Sequence, residues 1–110
     1  MKGLIVTADH TVQLVDDIPM PEIGPYEALV RIDCCMICNG TDMEILHGQL
    51  PEAAEYPLML GHESAGHVIQ IGEKVRSFQP GDLVIRACLP SNARYASGWG
   101  SFSEYGVVLD

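Results

Sequence analysis

The sequence has few basic residues. Six lysines and arginines stand against fifteen aspartates and glutamates among 110 residues, which gives a formal net charge of −9. This balance repels phosphate backbones and argues against nucleic acid as a partner. Eleven of the acids but only two of the bases, Lys2 and Arg31, fall in residues 1–70. Such asymmetry is typical of a solvated acidic face or of a missing basic neighbour.

The sequence also lacks long apolar runs. The longest are a handful of residues, whereas a membrane-spanning helix needs roughly 20, so we expect no membrane association. The amino terminus turns polar at Asp9 and His10 without the apolar stretch and small-residue cleavage site of a secretory signal. A cytoplasmic location with reduced cysteines is therefore expected. Apolar residues make up 47% of the chain, enough for one globular domain with a single core.

Helical periodicity is scarce, and no segment predicts a helix longer than about three turns. Thr41 to Gly48 predicts the one short helix, with a capping residue in front and glycine at its end. Alternation and turn residues predict strands at 2–7, 11–16, 28–36, 65–71, 83–86 and 102–109, with loops at 49–60 and 92–100. The fold class is thus mainly β, a barrel or sandwich with short helical inserts.

The strand at 28–36 alternates one apolar and one mixed face. Cys34 and Met36 fall on the apolar face, and we interpret Cys34 and Cys35 as small buried hydrophobic residues. Cys35 and Cys38 also form a C-x-x-C pair, but no βαβ pattern surrounds them, which disfavours a thioredoxin-type redox role. His67 occupies an alternate-face strand position and is predicted to be a surface or hydrogen-bonded side chain.

The most informative stretch runs from Gly61 to Val75. His62 and Glu63 are adjacent at a loop-to-strand junction between glycines, and they present an imidazole and a carboxylate suited to a metal ion. A His-Glu pair alone would be weak support for a metal site, since a hydrogen-bonded structural histidine would fit it as well.

The whole stretch resembles the signature of zinc-containing alcohol dehydrogenases: Gly-His-Glu, two residues, Gly, five residues, Gly, two residues and an aliphatic residue. The flanking segments 28–38, 78–84 and 100–108 are similar to segments of the same family in the same order. The resemblance implies a GroES-like, partly open β-barrel. It identifies residues 1–110 as the catalytic domain of such an enzyme, without its Rossmann cofactor domain.

The resemblance also implies a zinc site. Cys38 and His62 would be zinc ligands, with Glu63 beside the metal as an exchangeable or second ligand. The family's remaining protein ligand would lie beyond Asp110. Thiolate and neutral imidazole are ligands that zinc favours, and a catalytic site keeps one position open.

Two more roles follow from the resemblance. Thr41 would bind the substrate hydroxyl and pass its proton outward, and Asp42 would orient the zinc-bound histidine. The segment 38–42 has one residue more than the usual family pattern between the cysteine and the aspartate. Glu44 stands where many members have histidine, so an imidazole relay would be absent or supplied by His47.

The implied activity is oxidation of an alcohol or polyol to a carbonyl by hydride transfer to NAD or NADP, in a homo-oligomeric intact enzyme. Residues 86–101 contain only Cys88, too few ligands for the structural zinc of many members. No G-x-G-x-x-G motif follows a strand, so the nicotinamide cofactor is expected to bind elsewhere and residues 1–110 alone to be inactive. A non-catalytic GroES-like binding module and a zinc-free relative of quinone reductases are the alternatives.

Overall fold

Eight strands and two short helical segments make up the protein in a computed structural model that describes residues 1–110. The strands are β1 (Gly3–Val6), β2 (Val12–Val15), β3 (Glu27–Cys35), β4 (Leu58–Met59), β5 (Ser64–Ile71), β6 (Leu83–Ile85), β7 (Ala96–Ser97) and β8 (Tyr105–Leu109). The helical segments are α1 (Thr41–Leu46) and a 3₁₀ turn (Pro51–Ala53). Neither has the length and apolar character needed to cross a membrane. The predicted fold class, mainly β with short helical inserts, is confirmed.

The first sheet has the strand order β2-β1-β4-β7. The predicted opening hairpin is present, with β1 and β2 antiparallel. The predicted loops 49–60 and 92–100 are wrong in part, because they contain β4 and β7, which pair in parallel. Each of these strands has two residues, too few to show a period, and both residues of β4 are buried. Their pairing depends on neighbours that are distant in the sequence.

The second sheet has the order β6-β5-β3-β8, with antiparallel pairing throughout. β3 lies in its interior, between β5 and β8. β8 begins at Tyr105, later than the predicted 102, because Ser103 forms only an isolated bridge with Gly3 of the first sheet. The two sheets do not join into one closed cylinder, so the barrel is partly open.

The predicted apolar face of β3 is wrong in its second half. Ala28, Leu29 and Val30 are all buried, on both faces of the strand. Beyond them the strand emerges from the core: Cys34 is exposed, and Met36 lies outside β3 and is 68% exposed. Register shifts between Leu29 and Val30 and between Ile32 and Cys34 break the period on which the prediction depended.

Three buried clusters form the core. The cluster that matters for the candidate site brings together residues of β1, α1, the 3₁₀ turn and β4, and consists of Val6, Ile45, Ala53, Leu58 and Leu60. Ile45 is the only α1 residue in this cluster and is fully buried. Burying a side chain of this size stabilises a fold by roughly 1.5–3 kcal/mol, which anchors the helix on the first sheet.

Two glycines of the Gly61–Val75 stretch allow close backbone contacts. Gly61 has a φ of +103°, and a Cβ there would lie 2.5 Å from the Phe102 ring. A Cβ on Gly66 would lie 2.2 Å from the carbonyl oxygen of Arg31. Any side chain would therefore separate β5 from β3 or displace the segment that carries His62.

A polar contact attaches the loop before β7 to the end of the opening hairpin. Tyr95 is a buried residue. Its hydroxyl donates to Asp17 Oδ1 at 2.6 Å, and Arg94 pairs with the other oxygen of the same carboxylate. The hydrogen bond from Tyr95, followed by the charge of Arg94, lowers the pKa of Asp17 despite some desolvation.

We predict that Tyr95→Phe lowers the urea midpoint at pH 7 by roughly 0.5–1 M. Because the pKa of Asp17 is lowered in the folded protein, ionised Asp17 contributes to the free energy of unfolding at pH values above its unfolded pKa of about 3.9. That contribution is lost as the pH falls through the folded pKa. The difference between the two proteins should therefore shrink below about pH 4. Tyr26→Phe, at a half-exposed tyrosine, is the control. A Tyr95→Phe difference that persists at pH 2 would refute the assignment to Asp17.

Candidate metal centre

The pairing of β3 with β5 brings two chemically active segments together. Cys35 at the end of β3 lies opposite Ser64 at the start of β5. The pairing continues past the strand ends, since the N–H of Met36 donates to the carbonyl of Glu63 at 3.0 Å. Because the strands are antiparallel, the residues that follow β3 lie against the residues that precede β5. Cys38 therefore comes next to His62 and Glu63.

The side chains of Cys38, His62 and Glu63 converge. Cys38 Sγ, a His62 ring nitrogen and a Glu63 carboxylate oxygen lie within 4.8 Å of one another, and all three residues are half-buried. His62 Nε2 is 3.7 Å from Glu63 Oε1. Ligands 2.0–2.3 Å from a tetrahedral zinc are roughly 3.3–3.8 Å apart. Small side-chain rotations would bring the three atoms to that spacing.

Asp42 connects two of these residues. Its carboxylate, on the first turn of α1, is 3% exposed. Oδ2 accepts the backbone N–H of Cys38 at 2.8 Å, and Oδ1 lies 3.2 Å from His62 Nδ1. A single buried carboxylate thus faces the backbone of one candidate ligand and the side chain of another.

The unpaired atoms at this contact fit a metal ion. Asp42 Oδ1 and His62 Nδ1 are buried and have no well-aligned hydrogen-bond partner, although they face each other. An imidazole whose Nδ1 faces a carboxylate keeps the lone pair of Nε2 available for a metal ion, and this is the usual arrangement around metal-bound histidines. Thiol, imidazole and carboxylate are together the donor set that zinc accepts. The residues present fit the metal implied by the sequence.

Trp99 covers one side of the imidazole. The rings of Trp99 and His62 have centroids 5.6 Å apart and are tilted by 59°. Trp99 also packs on the cluster that holds α1. As the single tryptophan of the chain, it is a fluorescent reporter placed beside the candidate site.

The extra residue between Cys38 and Asp42 is absorbed before the helix starts. Asn39 and Gly40 form a turn, and α1 begins at Thr41. Asp42 consequently still reaches the N–H of Cys38. Thr41 is half-buried on the same turn, whereas Glu44 is exposed.

His47 is the other imidazole that the sequence offered for a proton relay. It caps the far end of α1 and is exposed. No hydrogen bond or ion pair joins it to the residues around His62. The structure therefore does not bring His47 together with the other predicted site residues.

Two contacts of this region were not predicted from the sequence. One is the hydrogen bond from the Cys38 N–H to Asp42. The other is the hydrogen bond from the Tyr56 hydroxyl to the carbonyl of Ile45 in α1, at 2.5 Å. A tyrosine before a proline in a predicted loop carries no signal for such a contact, because the contact depends on where the loop packs.

The interpretation of Cys34 and Cys35 as buried is wrong, since both are exposed. They border an open cleft of about 440 Å³ whose apolar walls include Leu4, Ile37 and Phe102. The end of β3 extends beyond the core at this point. Apolar composition alone could not reveal that, because the strand changes from buried to exposed without a change in residue type.

Two of the four thiols are disfavoured as thiolates. Desolvation, with the neighbouring Cys34 adding to it, raises the pKa of Cys35. Desolvation also raises the pKa of Cys88. Both thiols donate to backbone carbonyls, Cys35 to Ser101 at 3.1 Å and Cys88 to Arg86 at 3.2 Å.

His67 has a partner outside the candidate metal centre. Its Nδ1 contacts Asp33, and both side chains are partly exposed. This confirms the prediction of a surface or hydrogen-bonded side chain. The hydrogen bond with His67 is the largest cause of a lowered pKa at Asp33.

Comparison with known protein families gives a match over most of the chain. Residues 24–110 match the family described as the alcohol dehydrogenase GroES-like domain. The match includes every residue of the candidate metal centre.

Comparison with individual proteins gives consistent results. An alcohol dehydrogenase of Cupriavidus necator is 37% identical over 110 residues, which cover 99% of this chain and 29% of that protein. A sorbitol dehydrogenase of Ovis aries is 38% identical over 94 residues, which cover 84% of this chain and 26% of that protein. The chain therefore spans less than a third of the length of these relatives.

Solved structures share the fold. A protein from Sinorhizobium meliloti 1021, provisionally named a zinc-binding dehydrogenase and solved bound to NADP, superposes with a TM-score of 0.73 at 27% identity. The superposition covers 98% of this chain and 36% of that protein. The expected GroES-like, partly open β-barrel is confirmed.

The thiol contacts predict an order of reactivity. At pH 7.5 we expect iodoacetamide to alkylate Cys34 faster than Cys35 and Cys88, because the raised pKa values of the latter two reduce the thiolate that reacts. Mass spectrometry of peptides over a time course measures the rates. In denaturant, where the folded environment is gone, the rates should converge. Equal rates in the folded protein would contradict the contacts assigned to Cys35 and Cys88.

Proposed function

The chain belongs to the alcohol dehydrogenase GroES-like domain family, and on that premise we propose that residues 1–110 form the zinc- and alcohol-binding domain of a dehydrogenase. The enzyme would oxidise an alcohol or polyol to a carbonyl and transfer hydride to NAD or NADP. The observation that carries the proposal is the convergence of Cys38, His62 and Glu63 around a buried Asp42. The NADP-bound structural relative and the sorbitol dehydrogenase relatives support the cofactor and the polyol class.

Cys38 Sγ, His62 Nε2 and a Glu63 carboxylate oxygen would hold the zinc ion. Bound zinc would supply Lewis acidity, which favours loss of the hydroxyl proton, so that the carbon bearing that oxygen can give up hydride to the nicotinamide ring. Asp42 holds the His62 ring with Nδ1 toward its own carboxylate, and so keeps Nε2 available. By accepting the Cys38 N–H, the same carboxylate fixes the backbone that carries the thiolate.

Thr41 is proposed as the residue that receives the substrate proton at Oγ1. It is half-buried at the start of α1, next to Asp42. A hydroxyl can accept a proton while it donates its own. Glu44, exposed on the same helix, would face a polar or polyhydroxylated substrate. The nicotinamide cofactor is assigned to a part of the enzyme outside residues 1–110, since these contain no Gly-x-Gly-x-x-Gly segment.

Zinc titration tests the ligand assignment. We predict that the chain binds one zinc ion weakly, because three protein donors are fewer than a closed site uses. Cys38→Ala and His62→Ala should each abolish saturable binding in calorimetry. Cys34→Ala and His67→Ala, which remove the same groups from exposed positions, should leave it unchanged. Equal affinity in all four variants would refute the site and favour a zinc-free relative or a binding module.

A chimera tests the activity. Residues 1–110 would replace the matching segment of the Cupriavidus necator alcohol dehydrogenase, and NADH or NADPH formation would be measured with ethanol and sorbitol. We predict alcohol-dependent turnover that falls to background with His62→Ala and stays within twofold with His67→Ala. A folded, zinc-containing chimera that reduces neither cofactor with either alcohol would contradict the proposed function.

A further inference from the structure

Helix α1 carries Asp42 but has little stability of its own. It has six residues, and Gly40, the residue at its N-cap, provides no side-chain cap, whereas isolated helices shorter than about 12 residues are marginal in water. Its last turn contains no basic residue to offset the helix dipole. The orientation of α1, and with it the Asp42 carboxylate, must therefore come from tertiary contacts.

Both the side chain and the carbonyl group of Ile45 fix the carboxyl-terminal end of α1. The side chain of Ile45 is fully buried. Its carbonyl oxygen accepts two hydrogen bonds, from the N–H of Gly48 at 3.0 Å and from the hydroxyl of Tyr56 at 2.5 Å. The second bond reaches across 11 residues, so it ties the helix to the segment that leads into β4. An apolar contact allows sliding and rotation, but a hydrogen bond to one carbonyl restricts both.

The Tyr56 ring is itself held in place. It packs on the cluster that contains Ile45, and the His10 ring meets it edge-on, with centroids 4.8 Å apart and planes 70° apart. His10 lies in the turn of the opening hairpin and against Gly48, where a Cβ would lie 2.8 Å from the imidazole. The hydroxyl is thus presented to α1 from a packed position.

We infer that Tyr56 is a positioning residue for the metal centre: its hydroxyl sets the orientation of α1, and α1 sets the Asp42 carboxylate that faces Cys38 and His62. This inference rests on the proposed metal centre and extends it to a residue that does not contact the ligands. Loss of the hydroxyl should let Asp42 move while the ring keeps the core filled.

Cobalt titration of the full chain tests the inference. Co²⁺ reports its ligands through visible absorption bands and through a thiolate-to-cobalt charge-transfer band in the near ultraviolet. Tyr56→Phe should raise the Co²⁺ dissociation constant about three- to tenfold, less than the 10–100-fold typical of losing a group that touches a ligand. It should also change the visible bands at saturation. Tyr26→Phe, at a half-exposed tyrosine, should change neither quantity.

A double variant isolates the route through Asp42. In an Asp42→Asn background, Tyr56→Phe should produce no further loss of Co²⁺ affinity, because the carboxylate through which it acts is gone. A tyrosine that only stabilised the fold would lower the melting temperature and leave the dissociation constant and the saturated spectrum unchanged. That result, or an undiminished effect of Tyr56→Phe in the Asp42→Asn background, would overturn the inference.

Hydrogen exchange on the unmodified chain covers the case in which Tyr56→Phe does not fold. By linkage, a contact that favours metal binding must itself be favoured when metal binds. Zinc should therefore slow amide exchange at Glu44 of α1 and at His47, which caps that helix, while Val12 in β2 serves as the reference. Unchanged exchange in α1 under saturating zinc would refute the inference. If the unmodified chain binds neither Co²⁺ nor Zn²⁺, the metal centre itself is refuted, a result distinct from normal binding that is insensitive to Tyr56.

Discussion

The candidate site depends on one buried carboxylate. Asp42 accepts the backbone N–H of Cys38 at 2.8 Å and faces the Nδ1 of His62 at 3.2 Å, so it joins the loop after β3 to the segment before β5. A buried carboxylate is expensive unless it is hydrogen-bonded or paired. One oxygen is satisfied and the other has only the imidazole to face. The His62 imidazole therefore offsets part of the cost of burying Asp42, and the same contact orients the ring.

Sheet pairing brings these groups within reach of each other. The antiparallel register of β3 and β5 brings Cys38 beside His62 and Glu63, and Gly66 lets the two strands approach closely. Gly61, with its positive φ, turns the chain into the site beneath Phe102. The glycines around His62 and Glu63 are therefore needed for close packing of the backbone as well as for placing the chemical groups.

The sequence predicted the site residues where chemically active side chains occur at a characteristic spacing. His62, Glu63, Cys38 and Asp42 were identified from their motif and do come together, and the hairpin and β5 follow from their periods. The misses have physical causes. The strands β4 and β7 have two residues each and form only because distant partners are present. Cys34 and Cys35 were misassigned because β3 leaves the core without a change in residue type. The contact of Tyr56 with α1 is purely tertiary.

The burial of Asp42, His62 and Glu63 follows a gradient that bears on what the site can do. The Asp42 side chain is 4% exposed, the His62 side chain 12% and the Glu63 side chain 44%. The positioning group is therefore shielded from water, and the donor atoms become more accessible toward Glu63. A structural zinc site is closed by four protein ligands, whereas a catalytic one keeps a position for a small molecule. A fixed, dry side behind the imidazole and an open side at the carboxylate favour the catalytic kind, because a substrate can enter without disturbing the group that orients the ligands.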